Sequence, residues 1–115
     1  MKKNELFFLI HIKDSIELIE KYVKDKNKDE FLNINILQDS IIRRLEIIGE
    51  AIKNIDNNLK VKYPNIEWKK ISGMRDILIH QYFGVDLDLT WEVIKKDIPI
   101  LKQQILKIID IFNNE

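Results

Sequence analysis

Apolar residues along the chain return at steps of three and four, the period of one face of an α-helix and of no single face of a strand. Leu9, Ile12, Ile16, Ile19 and Val23 form the first such stripe and predict a helix over about residues 4–24, with Asn4 as its N-cap. Residues 25–30 carry no apolar side chain and read as a solvated loop. The stripe resumes with Phe31, Ile34, Leu37, Ile41, Leu45, Ile48, Ile52 and Ile55, which predicts one long second helix ending near Asn57 and Asn58. Gly49 lies in the middle of it, where it costs about 1 kcal/mol relative to Ala unless another backbone packs closely there; a helix crossing is expected. Tyr63-Pro64 stops any continuation, because the proline ring disfavours the helical conformation at the residue before it. Asn65 is expected to cap a short helix over 66–71, with Ser72-Gly73 as a joint. A second short helix is predicted over about 74–83, stopped by Gly84. Asp86 or Asp88 then caps a last helix carrying Trp91, Ile94, Ile98, Leu101, Ile105, Ile108 and Phe112. Pro99 removes a donor and crowds the carbonyl of Lys95, so a kink or a break capped by Asp97 is expected there. Three long and two short helices give an all-α, up-and-down helical bundle, read as a single domain over 1–115.

Composition changes this picture little. Isoleucine dominates the apolar residues and Ala appears once, which by propensity alone leans toward strands, but the periodicity overrides that lean. A chain of 115 residues with 45% hydrophobic content is long enough for one core and too apolar for disorder. Zero Cys excludes a disulfide framework, Cys-ligated zinc and a thiol nucleophile, and fits a cytoplasmic protein. No apolar run approaches the roughly 20 residues a membrane span needs. The 19 basic and 19 acidic residues cancel, so binding to a polyanion has to come from a local patch. Such a patch is legible: six basic and two acidic residues lie between Lys53 and Arg75, followed by four acidic and no basic residues from Asp76 to Glu92. Lys62, Lys69 and Lys70 are candidates for contacting a phosphate backbone, with Tyr63, Trp68 and Tyr82 available for base stacking. The plainer reading makes the lysines a solvated face and Trp68 a core residue.

Without Cys, a catalytic acid or base near neutral pH points first to histidine, of which there are two. His11 stands among Ile10, Ile12 and Lys13 with no suggestive company. His80 stands in Arg75-Asp76-Ile77-Leu78-Ile79-His80-Gln81-Tyr82, which gathers an Arg, an Asp, a His and a Tyr. On a continuous helix Asp76 and His80 are i, i+4 neighbours, so the carboxylate could orient the imidazole. Arg75 and Tyr82 share another stripe, and Arg75 and His80 diverge by about 140° at the helical 100° per residue. That width suits a cleft closed by a symmetric dimer. The spacing alone is equally met by surface ion pairs and a histidine at a core edge.

The wording of the chain carries more. Gln38-Asp39-Ser40, Arg43-Arg44-Leu45-Glu46-Ile47-Ile48-Gly49-Glu50-Ala51, Tyr63-Pro64, Trp68, Gly73-Met74-Arg75-Asp76, His80, Tyr82-Phe83-Gly84-Val85-Asp86 and Trp91 together resemble the HepT-like toxins of the HEPN superfamily. The resemblance covers essentially the whole chain. It implies an HEPN-like helical homodimer acting as a ribonuclease toxin in a type VII-like toxin–antitoxin pair, with Arg75, Asp76 and His80 as the Arg-x4-His site. It further implies metal-independent cleavage of RNA without a cofactor, and neutralisation by a minimal nucleotidyltransferase that adds AMP to Tyr82. The competing expectation is a non-catalytic HEPN module that grips a nucleotide or a partner protein.

Overall fold

The computed structural model describes residues 3–80 and 84–115, with His80 described by its backbone. It is an up-and-down helical bundle whose three long members are α1 (Lys3–Val23), α3 (Asn35–Lys53) and α8 (Ile98–Asn113). Their facing stripes form the core: Leu9, Ile12, Ile16 and Ile19 of α1, Ile41, Ile48 and Ile52 of α3, and Leu101, Ile105 and Ile108 of α8 are all sealed from solvent. An exposed Lys102–Glu20 ion pair of 2.8 Å joins α8 to α1 along the rim. Among the described residues, no helix is long and apolar enough to cross a membrane.

The predicted second helix is two helices. Its first part is α2 (Lys28–Asn33), and Ile34 is extended at φ −114°, ψ 99° before α3 begins. The supposed loop at 25–30 holds the start signal: Asn27 Oδ1 accepts from Glu30 N, and Glu30 Oε1 accepts from Asn27 N, a reciprocal capping box. Asn33 ends the turn by donating its side-chain amide to Asp29 O, and Gln38 reaches back to Phe31 O across the break. The apolar spacing survives because Phe31 and Leu37 are buried on either side of it.

After α3, Asp56 caps the short α4 (Asn57–Lys62), so the chain is helical where an end was expected. The next helix, α5 (Trp68–Ser72), starts later than the predicted 66–71 and takes no side-chain cap; Asn65 does not cap it. Trp68 belongs to the core, with its indole N–H donating to Tyr63 O at 3.0 Å, and is therefore not a free stacking surface.

The motif helix is shorter than predicted. α6 (Met74–Leu78) ends where Ile79 turns extended, and Ile79–His80 (β1) pairs antiparallel with Gly84–Val85 (β2), Ile79 opposite Val85 and His80 opposite Gly84. The β-branched Ile77 and Ile79 weaken helix propagation here. Gly84 has φ +80°, so the glycine expected to end a helix instead serves this hairpin. Asp86 fastens the hairpin to the next helix, α7 (Leu87–Glu92). Its N–H donates to Leu78 O at 2.7 Å, its carboxylate accepts from Leu89 N, and its carbonyl accepts from Thr90 Oγ1. Asp86, not Asp88, is thus the cap; Asp88 pairs with Lys28 at 2.9 Å.

At Pro99 the expected break carries no Asp97 side-chain cap. A π turn over Val93–Asp97 joins α7 to α8, with Ile98 N–H donating to Val93 O five residues back. The widened turn takes up the missing donor and the bulk of the ring. It also inserts one residue, turning the N-terminal segment by about 100°. Thr90 is consequently sealed in the core, while Trp91 lies half-buried between the Phe31 ring at 5.4 Å and the Lys95 ammonium at 4.7 Å.

Candidate active site

Arg75 projects from the first turn of α6 and is half exposed. Its Nε donates to Glu46 Oε2 of α3 at 2.7 Å, and its Nη1 lies 3.8 Å from Asp76 Oδ1. The pairing depends on how closely α3 approaches the end of α5. A Cβ built on Gly49 would stand 3.2 Å from Ser72 O and 3.7 Å from Ile71 O, so the glycine marks the expected crossing. One turn before it, Glu46 then meets Arg75.

Around this pair is a groove of about 410 Å³ lined by Arg43, Glu46, Gly49, Glu50 and Lys53 of α3 and by Ser72, Arg75 and Asp76. Its charges balance, three basic side chains against three acidic ones. Glu50 lies 3.7 Å from Lys53, and Glu46 is taken by Arg75, whereas Arg43 makes no ion pair among the described residues. An incoming phosphate would therefore meet the outward edge of Arg75 together with the unengaged guanidinium of Arg43, both of which present several donors to an anion.

Of the candidates from sequence, Arg75 and Asp76 come together here. The i, i+4 relation between Asp76 and His80 does not exist, because the helix ends at Leu78 and His80 lies on a strand; Asp76 turns its carboxylate to Arg75. The 140° separation of Arg75 and His80 fails for the same reason. The imidazole of His80, and Tyr82 with the stripe it was expected to share with Arg75, lie outside the described residues. The basic series divides. Lys53 lines the groove, but Lys62 ends α4 with its ammonium 5.9 Å from the Tyr63 ring. Lys69 is exposed on α5, and Lys70 is bound to Glu67 at 3.3 Å and Asp97 at 3.5 Å, beside a separate small cavity. The hydrogen bond that Lys70 donates to Glu67, then the charge of Asp97, raises the Lys70 amine above its ordinary 10.5.

Beyond the place of Lys53 in the basic series, the sequence marked no site role for Arg43, Glu46 or Glu50. Their signal was the spacing i, i+3, i+7, i+10, a polar stripe along α3 beside its apolar one.

Residues 12–108, which reach from α1 into α8 and include the groove, match the family described as Ribonuclease HepT-like. The chain belongs to the HepT-like family. It is 59% identical over 110 residues to a Methanocaldococcus jannaschii protein named "Gamma-glutamylcyclotransferase and putative RNase", covering 96% of this chain and 50% of that one, so it spans half of that relative's length. It is 44% identical to the "Probable ribonuclease HepT" of Thermococcus cleftensis, covering 94% of this chain and 98% of the relative. A "Putative RNase" of M. jannaschii is 40% identical, over 90% and 95% of the two chains. No solved structure matches the chain significantly. The all-α bundle agrees with membership of the HepT-like family.

Proposed function

We propose that this HepT-like chain is an endoribonuclease toxin that cleaves single-stranded RNA with Arg75 and His80. The observation that carries the proposal is the Arg75 guanidinium, held by Glu46 at 2.7 Å on the wall of a groove that also holds Arg43, which makes no ion pair among the described residues. In the proposed reaction a base removes the proton of a 2′-hydroxyl, the O2′–P bond forms, and the P–O5′ bond breaks as an acid protonates the leaving oxygen. The products are a 2′,3′-cyclic phosphate and a 5′-hydroxyl, and neither a metal nor a cofactor is needed. His80 acts as base or acid, Arg75 offsets the charge on the phosphorane, and Asp76 adjusts the guanidinium. A homodimer would supply acid and base from two copies of the motif, and the exposed Lys62 and Lys69 would hold flanking phosphates, whereas Lys70 is held by Glu67 and Asp97. Neutralisation follows from a partner nucleotidyltransferase: AMP added to Tyr82 brings negative charge and bulk next to the motif.

The test is cleavage of a labelled oligoribonucleotide in the presence of a chelator by wild type, Arg75→Ala and His80→Ala, with circular dichroism as the folding control. Each substitution is expected to lower the rate at least about 100-fold, the scale of losing a transition-state charge partner, with the helical signal retained. Equal rates for all three, or cleavage abolished by the chelator, would overturn the assignment. Tight RNA binding without cleavage by wild type would instead make the chain a binding module.

A further inference from the structure

The polar ridge of α3 has a second flank. Opposite the Arg75 groove, Arg43, Glu46 and Glu50 also border a cavity of about 320 Å³ whose other walls are Phe7, Phe8 and His11 of α1, with Ile47, Ala51 and Asn54 closing its floor. The two hollows therefore share one ridge. The lining of this one is mainly apolar and aromatic. Phe7 is 56% exposed, which an isolated core-facing helix would not select, and its ring packs edge-on against His11 at 4.4 Å and Phe8 at 5.5 Å. Among the described residues the imidazole of His11 has no hydrogen bond or ion pair, and Asn54 adds an amide to the lining, its nitrogen donating to Glu50 O. Phe7, Phe8 and His11 also precede the span matched to the family.

We infer that the cavity between α1 and α3 is a nucleobase subsite for the RNA whose phosphate lies in the Arg75 groove, with Phe7 and His11 stacking on the base. Three features select a nucleotide as the occupant. Rings with exposed faces take a flat heterocycle without regard to its identity, the unengaged Arg43 on the shared ridge supplies the cation for the adjoining phosphate, and the amide of Asn54 offers polar atoms to a base edge. The ridge itself does not repel the strand, because Arg75 neutralises Glu46 and Lys53 lies beside Glu50. The inference rests on the ribonuclease reading, since it supplies that site with its base contact.

The experiment compares full-length wild type, Phe7→Ala, His11→Ala and the double substitution in cleavage of a short oligoribonucleotide. It also measures binding of that RNA, and of the same RNA with one abasic nucleotide at the cut site, to the His80→Ala background. Loss of stacking is expected to raise KM and weaken binding about tenfold for the double substitution. The abasic RNA should already bind weakly and lose nothing further. If wild type cleaves, Arg75→Ala does not, and the Phe7 and His11 variants match wild type on both RNAs, the subsite is wrong and the ribonuclease reading stands. If those variants instead dissociate a dimer while each remaining dimer binds RNA normally, the cavity belongs to a second copy of the chain and the inference also fails. If wild type neither binds nor cleaves RNA, both readings fall together.

Discussion

A methyl group on Gly49 would sit 3.2 Å from the Ser72 carbonyl oxygen, which is a backbone atom and cannot swing aside as a side chain would. Two effects oppose each other at this one position. Replacing a mid-helix glycine by alanine gains about 1 kcal/mol of helix propensity, and the crowding returns a similar amount as α5 shifts by a few tenths of an ångström. Gly49→Ala is therefore expected to unfold in urea within about 1 kcal/mol of wild type, and Gly49→Val, with two more carbons against the same carbonyl, to lose about 2 kcal/mol. The activity should fall more steeply than the stability, because parting α3 from α5 lengthens the Glu46–Arg75 contact of 2.7 Å. A fully stable and active Gly49→Val would show that the close approach does not hold the arginine. Gly49 was legible in the sequence as a crossing, since glycine within a strong helical stripe calls for a packing reason. The partner that the crossing brings to Arg75 was not, because Glu46 and Arg75 lie 29 positions apart and neither breaks its local pattern.

At the scale of elements, the three long stripes were readable because each runs regularly spaced isoleucine and leucine along a helix of more than four turns. The short elements were not, for reasons particular to each. Asn27 and Glu30 form a capping box inside a run that reads as a loop, since charged residues serve a helix start and a solvated turn equally well. Residues 79–80 alternate for too short a stretch to announce a strand, and the hairpin is fixed by Asp86, which the sequence marks only as a candidate cap of the last helix. That node has a measurable weight. Asp86→Ala removes the cap on α7 and should cost about 1 kcal/mol in urea unfolding, with Asp88→Ala costing clearly less. The smaller effect is also pH-dependent. The hydrogen bond that Lys28 donates to Asp88 raises the Lys28 amine above 10.5, so the pair contributes in full below 10.5 and fades as the pH climbs through the raised value. Stabilities of wild type and Asp88→Ala should then converge in strong alkali. Equal losses from the two substitutions at neutral pH would refute the assignment of the cap.

Across the whole molecule, the balanced count of 19 basic and 19 acidic residues conceals a local ridge on α3 where Arg43, Glu46, Glu50 and Lys53 line the groove of Arg75. The helices behind that ridge are held by sealed side chains along their full length, yet the element that carries Arg75 is held by two, Met74 and Leu78, with Arg75, Asp76 and Ile77 all open to solvent. The difference sets a hierarchy of opening. Amides at the centres of α1, α3 and α8 should exchange with deuterium only when the whole chain unfolds, whereas those of Asp76 to Leu78 should exchange through a local opening of lower free energy and be insensitive to denaturant at low concentration. Uniform protection across both groups would contradict this. The arginine thus rides on a five-residue latch that can release without disturbing the frame, and one bound anion spanning the ridge would be enough to slow its exchange.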